Sequence, residues 1–132
     1  MVFYTNIWTC GGKSVIFYMA YNLSDHKKGD TFAGASFTIN VNASPLDLTG
    51  ATIVMTVKRG DCNGSTVGTL SSANAGEITI TNAAGGEFQI DEQVIDFPAG
   101  THYYDIQFTL QDGTIKTYIS GNWTITVGLE CS

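Results

Sequence analysis

The sequence predicts an all-β domain, built as a two-sheet sandwich or a barrel. Short segments in which apolar and polar residues alternate recur about every ten residues, with turn-forming residues between them. The composition agrees, because 43% hydrophobic and 14% charged residues exclude disorder, and 15 glycines are too many for a helical bundle. No helical period of about 3.6 residues persists along the chain. The length of 132 residues indicates one domain with a core of its own.

The first predicted elements are two aromatic-rich strands, at residues 2–9 and 14–20. Gly11 and Gly12 suit a tight connection between them. A polar run follows, which is typical of a linker. The chain is therefore divided into an N-terminal β extension or arm, a linker and a β-sandwich domain: residues 1–20, 21–28 and 29–132.

Alternating patterns also predict the middle strands. Phe37, Ile39 and Val41 alternate with polar residues, which is typical of a strand with one buried face. Pro45 lies in the connection that follows, since proline is not tolerated in a central strand. Apolar residues on both faces of residues 51–58 indicate a central strand. Further short strands are predicted at residues 66–70, 77–81 and 87–90.

The segment 100–120 has the most regular pattern in the chain and predicts a long β-hairpin. One face of its first strand carries His102, Tyr104, Ile106, Phe108 and Leu110. Asp112 and Gly113 suit the two left-handed positions of a type I′ turn. That turn would pair Gln111 with Thr114, Leu110 with Ile115, Phe108 with Thr117 and Ile106 with Ile119.

A third strand is predicted after the hairpin. Gly121 and Asn122 interrupt the alternation, and Trp123, Ile125 and Val127 resume it. The three strands would form an antiparallel meander. Its register is fixed by the apolar pattern, because a slip by one residue would turn the apolar set towards water.

The charge balance excludes a nucleic-acid partner. The net charge is -6, from 6 basic and 12 acidic residues, and the basic residues form no cluster that could follow a phosphate backbone. The same acidity disfavours binding to an anionic membrane surface. Neither apolar stretch of the N-terminal extension is long enough to span a bilayer, so the sequence predicts a soluble protein without a targeting segment.

The sequence predicts no catalytic, cofactor or metal site, and the chain is predicted not to be an enzyme. The cysteines at positions 10, 62 and 131 lack a metal-ligand spacing and are expected to be free thiols. His102 falls on an apolar strand face, where a hydrogen-bonded core histidine is expected. The neighbouring carboxylates are expected to be solvated and not paired for catalysis: Asp91, Glu92, Asp96 and Asp105.

Aromatic side chains are the candidates for an interface. Tyr103 is predicted to face outward from the long strand, and Tyr118 would pair with Gln107 on the same face. Exposed aromatics there could form a sugar-binding platform or a protein interface, or the N-terminal strands could cover them. The candidate interface residues are Phe3, Tyr4, Ile7, Trp8, Ile16, Phe17, Tyr18, Tyr103 and Tyr118.

A family resemblance is carried by the segments KKGDTFAGASFTI, SPLDLTGATIVMTVKR, GGEFQI and FPAGTHYYDIQFTLQDGTIKTYISGNWTITV. In order and spacing, from about Lys28 to Val127, they resemble the N-terminal module of the baseplate upper protein of tailed bacteriophages and related phage-virion β-sandwich domains. The resemblance implies an immunoglobulin-like antiparallel β-sandwich that holds virion proteins together within a homo-oligomer. It implies no catalytic residue and no cofactor.

The function predicted from the sequence is that of a bacteriophage virion structural protein, acting as an assembly or adaptor module in a tail, baseplate, neck or head decoration. Such a protein would be made in the bacterial host cytoplasm and located in the virion, with other virion proteins as partners. An N-terminal arm that adds a strand to a neighbour fits this role. The alternative is a carbohydrate-binding module that recognises host surface glycans through Tyr103, Tyr118 or Trp123.

Overall fold

The computed structural model describes residues 2–3, 6–10, 13–20, 22–41, 43–61 and 63–127, with side chains from Asn22 onward. These residues form strands and no helix. The strands are β1 (Val2–Phe3), β2 (Asn6–Cys10), β3 (Lys13–Ala20), β4 (Leu23–Lys27), β5 (Thr31–Phe32), β6 (Ala35–Val41), β7 (Ser44–Pro45), β8 (Thr52–Arg59), β9 (Thr66–Ser71), β10 (Ile78–Asn82), β11 (Glu87–Ile90), β12 (Gln93–Val94), β13 (Gly100–Thr109) and β14 (Ile115–Thr126).

The strands form two main sheets whose inner faces share one core. The first sheet has the order β10, β11, β6, with β1 and β7 along the other edge of β6. The second has the order β9, β8, β13, β14, and β3 and β4 then share the remaining edge of β14, with β2 beyond β3. The predicted all-β, immunoglobulin-like sandwich is confirmed. Most strand pairs are antiparallel, but β1 is parallel to β6, and β3 and β4 are parallel to β14.

A row of aromatic rings joins the two sheets through the core. Phe37 and Phe88, from the first sheet, stack with ring centroids 5.1 Å apart. Phe88 meets Phe108 of the second sheet edge to face at 5.4 Å, and Phe108 meets Tyr118 at 5.6 Å. Offset and edge-to-face pairs of this kind stabilise a core beyond the area they bury. These ring contacts therefore fix the position of one sheet relative to the other.

Most strand predictions of the middle of the chain are confirmed. The inward residues of β6 include Phe37 and Ile39, which are fully buried. The predicted central strand is β8, which lies between β9 and β13. Pro45 lies in the short strand β7, which pairs only with the end of β6.

The predicted type I′ turn of the long hairpin is wrong. Gly113 N donates to Leu110 O, and Leu110 N donates to Thr114 O, so the loop has three residues instead of two. Only Gly113 is left-handed there, with a φ of 89°. A non-glycine residue in that conformation costs about 1–2 kcal/mol, and the three-residue loop avoids this strain at Asp112. Near the turn the register is therefore displaced from the predicted one, with Thr109 opposite Ile115, Phe108 opposite Lys116 and Gln107 opposite Thr117.

A β-bulge returns the hairpin to the predicted register. Thr117 lies opposite Gln107 and Ile119 opposite Ile106, so Tyr118 is the extra residue of β14. The predicted pairing of Ile106 with Ile119 is thereby confirmed. Because a bulge re-aims the side chain at the extra position, Tyr118 packs into the core and is 6% exposed.

The predicted third strand is not separate, because β14 runs without a break through Gly121 and Asn122. Tyr104 lies opposite Gly121 and Tyr103 opposite Asn122 in the ladder with β13. The period of two is kept across these positions, so Ile119 and Trp123 face the same side as Gly121. The strand therefore has no physical reason to end there.

The predicted linker, residues 21–28, contains β4. This strand pairs in parallel with the end of β14, and Leu23 packs into the core. The segment was interpreted as a linker because its sequence is polar. A short edge strand can be polar, since only one of its side chains, Leu23, is buried. The division of the chain into extension, linker and domain remains a prediction.

Candidate functional site

The predicted interface residues of the N-terminal extension lie outside the described side chains: Phe3, Tyr4, Ile7, Trp8, Ile16, Phe17 and Tyr18. The other two were predicted to lie on the outer face of the sheet, either exposed or covered by the N-terminal strands, and this placement holds for Tyr103 but is wrong for Tyr118. Tyr118 lies in the core. Tyr103 lies on the outer face of β13 but is only 7% exposed, and its hydroxyl donates to Ser120 Oγ at 2.9 Å. These two side chains therefore form no open aromatic platform.

Asp105 lies on the same outer face as Tyr103 and is half-buried. Burial raises the pKa of its carboxyl above the ordinary value, and the nearby Lys58 opposes this rise. A raised pKa means that the folded protein binds the proton more tightly than the unfolded chain. The charge on Asp105 is therefore a source of instability at neutral pH.

We expect Asp105→Asn to gain stability relative to the parent protein as pH rises. The penalty of the charged form is absent well below pH 3.8 and complete above the raised pKa, so the gain develops between about pH 3 and pH 7 and reaches about 1 kcal/mol or less after solvent screening. Urea unfolding of Asp105→Asn and of the parent protein at about pH 3 and about pH 7 measures this gain in stability. The control is Asp112→Asn, because hydrogen bonds from Thr114 lower the pKa of Asp112. That variant should change in the opposite direction, and an equal pH dependence of the two variants would contradict the assignment.

The other titratable residues show no catalytic arrangement among the described side chains. His102 is fully buried, and its Nε2 donates to Pro98 O. Asp91 accepts from Thr79 Oγ1 at 2.6 Å and from Gln89 Nε2 at 2.8 Å. Within the described part of the chain, no three His, Cys, Asp or Glu residues are grouped to hold a metal ion.

Asp96 forms an ion pair with Lys28, with Nζ and Oδ1 2.9 Å apart. It is therefore a surface charge with a basic partner, not one member of a carboxylate pair.

The described residues contain no helix that is both long and apolar enough to cross a bilayer.

A candidate site is a cleft of about 240 Å³ beside β4, here called the β4 cleft. It lies between β4 and the segment that connects β5 to β6. Its lining residues are Leu23, Ser24, Asp25, His26, Phe32, Ala33, Gly34 and Ala35.

Small residues keep the β4 cleft open on the side opposite β4. Ala33, Gly34 and Ala35 have no side chain that could fill it. Gly34 has a φ of 94°, and a Cβ there would lie 2.8 Å from Ile90 O. The chain can therefore run close to the end of β11 at this point only with glycine.

Aromatic rings form one wall of the β4 cleft. Phe32 meets the buried Trp123 edge to face at 5.3 Å, and the His26 ring lies 5.8 Å from Phe32 and 6.2 Å from Trp123. His26 Nε2 donates to Asp30 O at 2.9 Å, which fixes the ring. His26 and Phe32 are both partly exposed, so they present a preorganised aromatic surface.

Strand β4 has one edge without a strand partner among the described residues. Its other edge pairs with β14, and the register shifts between Trp123 and Ile125. Side chains of β14 also donate to carbonyl oxygens of β4: Trp123 Nε1 to Ser24 O at 3.0 Å, and Thr126 Oγ1 to His26 O at 3.4 Å. Strand β2 extends the sheet beyond β3 but pairs with no residue of β4. Within the described part of the chain, no strand therefore occupies the position next to this edge of β4.

Acidic side chains accompany the β4 cleft. Asp25 lines it and is exposed, with no ion pair to a described residue. A second cleft, of about 230 Å³, shares the segment 33–35 and is lined also by Glu92. Lys27 belongs to β4 but does not line either cleft. The local charge is therefore negative, as is the charge of the whole chain.

Comparisons with known proteins give no family for this chain. No family model and no curated protein matches it. A solved structure that is similar is CopC from Methylosinus trichosporium OB3b, with 11% sequence identity and a TM-score of 0.46. The match covers 82% of this chain and 88% of that chain. A likeness this distant transfers no function.

The predicted function of a bacteriophage virion structural protein, with a glycan-binding module as its alternative, is wrong on this comparison. The similar structure is CopC, not a phage protein. The comparisons test neither the resemblance to baseplate upper proteins nor the predicted homo-oligomer, virion partners and virion location. Those remain predictions.

Proposed function

We propose that this chain is a binding domain without a catalytic role, and that it binds an extended segment of a partner protein beside β4. The observation that carries the proposal is the edge of β4 that has no strand partner among the described residues and lies next to the β4 cleft. The segment would add a strand to that edge and place one side chain in the cleft.

The free edge supplies the backbone part of the binding site. An edge strand turns unpaired N–H and C=O groups away from its only neighbour, and an extended peptide can pair with them. β4 is only five residues long, interrupted by a bulge, and carries exposed charged residues. These features discourage indiscriminate strand pairing, so a segment that binds there must match the side chains beside the edge.

The size of the β4 cleft favours a single side chain over a whole small molecule. Its volume of about 240 Å³ lies below the range of roughly 300–1,000 Å³ that is typical of small-molecule pockets. Backbone pairing with one anchored side chain is the usual division of labour in strand addition, because the pairing gives affinity and the pocket gives selectivity.

Filling the β4 cleft tests the proposal. An array of random eight-residue peptides is probed with the parent protein, with Ala33→Trp and with the control Ala73→Trp, which places the same ring at an exposed turn outside the cleft. We expect Ala33→Trp to weaken binding of the selected peptides about tenfold or more. The control should bind as the parent does.

The amide chemical shifts of β4 provide an independent readout. Addition of a selected peptide should move the signals of Leu23–Lys27 more than those of β9, which is the edge strand at the far side of the same sheet. The proposal fails if no peptide binds to the parent protein, if Ala33→Trp binds the selected peptides normally, or if the shifts concentrate on β9.

A further inference from the structure

We infer that the segment bound beside β4 is basic, and that it places an arginine or lysine side chain in the β4 cleft between the Asp25 carboxylate and the Phe32 ring. This inference rests on the proposed function and names the chemistry of its partner. The juxtaposition of an exposed carboxylate and a partly exposed aromatic ring in one cleft carries it.

The side chains of the β4 cleft match a long cationic side chain in two ways. Asp25 offers carboxylate oxygens, and a guanidinium or ammonium group can donate to them in a charge-assisted hydrogen bond. The face of an aromatic ring attracts the same cation, and the apolar stem of arginine or lysine packs against it. Leu23, Ala33 and Ala35 supply the apolar surface for the stem.

The ring of Phe32 is held in place for this contact. Its edge-to-face contacts with His26 and Trp123 restrict it from two directions. The hydrogen bond from His26 Nε2 to Asp30 O restricts His26 in turn. The aromatic part of the site therefore loses little conformational entropy on binding.

The charges around the cleft oppose an acidic or self-associating partner. Asp25 and Glu92 flank the segment 33–35 from the two adjoining clefts. The nearby Lys28 is neutralised by its ion pair with Asp96. A second copy of this chain would bring a further net charge of -6 to the interface, whereas a basic segment is attracted to it.

The peptide array tests the inference through its composition. Selected peptides are resynthesised with arginine replaced by citrulline, which keeps the length of the side chain, and lysine by norleucine, which keeps its four-carbon stem; both replacements remove the charge. We expect these replacements at the anchoring position to weaken binding to the parent protein about tenfold or more. Glutamate at that position should abolish binding.

The protein variants assign the effect to one carboxylate. Asp25→Asn should reduce the preference for the charged over the neutral peptide to the roughly two- to fivefold that the contact with the Phe32 ring supplies alone. The matched control is Asp61→Asn, which removes the same charge from an exposed loop and keeps an oxygen to accept from Asn63 N. This control should retain the preference of the parent protein for the charged peptide.

The outcomes separate the two proposals. If peptides bind in a manner sensitive to Ala33→Trp but show no preference for arginine or lysine, or if Asp25→Asn keeps the full preference of the parent protein, the inference about charge is overturned and the binding function stands. If no peptide binds, or if binding ignores Ala33→Trp, the proposed function falls and the inference falls with it.

Discussion

Replacing Trp123 by alanine should lower the free energy of unfolding by about 3–5 kcal/mol, which is the usual cost of removing a large buried aromatic side chain. The indole is fully buried and lies beside three further rings, with centroid distances of 5.3 Å to Phe32, 6.0 Å to Phe97 and 6.2 Å to His26. Alanine would leave a cavity where the second sheet, β4 and the aromatic wall of the cleft meet. Urea denaturation measures the change.

The variant Trp123→Phe separates the hydrogen bond from the packing. Phenylalanine keeps most of the apolar volume but cannot donate to Ser24 O. Loss of a donor to a carbonyl costs about 1–3 kcal/mol where water cannot replace it, so we expect a smaller loss than with alanine. Hydrogen exchange of the β4 amides should become faster in this variant. A loss below about 1 kcal/mol for Trp123→Ala, or unchanged exchange in Trp123→Phe, would contradict this account.

Replacing Gly86 by alanine should lower the free energy of unfolding by about 2–5 kcal/mol. Gly86 has a φ of 70°, and its carbonyl oxygen accepts from Ile39 N at 2.9 Å. An added Cβ would lie 2.6 Å from Ile39 O and 2.9 Å from Leu46 O. Left-handed strain costs about 1–2 kcal/mol, and overpacking against backbone atoms, which cannot rotate away, adds about 1–3 kcal/mol.

Gly76→Ala is the matched control for Gly86→Ala. Gly76 has a similar φ of 85°, but nothing lies within 4 Å of the position of its Cβ. It should therefore lose only the conformational term, about 1–2 kcal/mol. Thermal and urea unfolding of both variants give the difference, which isolates the steric contact. If both variants lost the same free energy of unfolding, the close approach of the new Cβ to Ile39 O and Leu46 O would cost nothing, and the steric part of the prediction would be wrong.

The part of the fold that follows from local alternation could be predicted from the sequence. In β8, the residues Ile53, Met55 and Val57 alternate with less buried neighbours because one face of the strand meets the core. The same holds for β13, where His102, Tyr104 and the two apolar residues after them all face inward and are fully buried. A period of two is a property of the chain itself, so no tertiary information was needed.

The features that depend on distant pairing could not be predicted. The strand β4 is stabilised by β14, which lies about a hundred residues further along the chain, as the bond from Asn122 N to Asn22 Oδ1 shows. Its local sequence carries only Leu23 as a sign of burial. The bulge at Tyr118 is likewise a response to the ladder as a whole, and nothing in the alternation marks it.

The β4 cleft was beyond sequence reasoning for a related reason. Its acidic and aromatic residues come from two strands that the polar pattern assigned to a linker and to the entry of the domain. Small residues at positions 33–35 create the space, and small residues carry no chemical signature of their own. The sequence drew attention to Tyr103 and Tyr118 instead, and burial removes both from the surface.

Strand β14 is synthesised last, although it lies in the interior of its sheet. Strand β14 lies between β13 on one edge and β3 and β4 on the other, yet it is made after all of them. Strands β3 and β4 therefore cannot pair with β14 until about a hundred further residues have been made. Closing a loop of that length makes folding slow, in the range of about milliseconds to seconds. During that interval Leu23 and the unpaired edge of β4 are accessible to other nascent chains, which is where misassembly would begin.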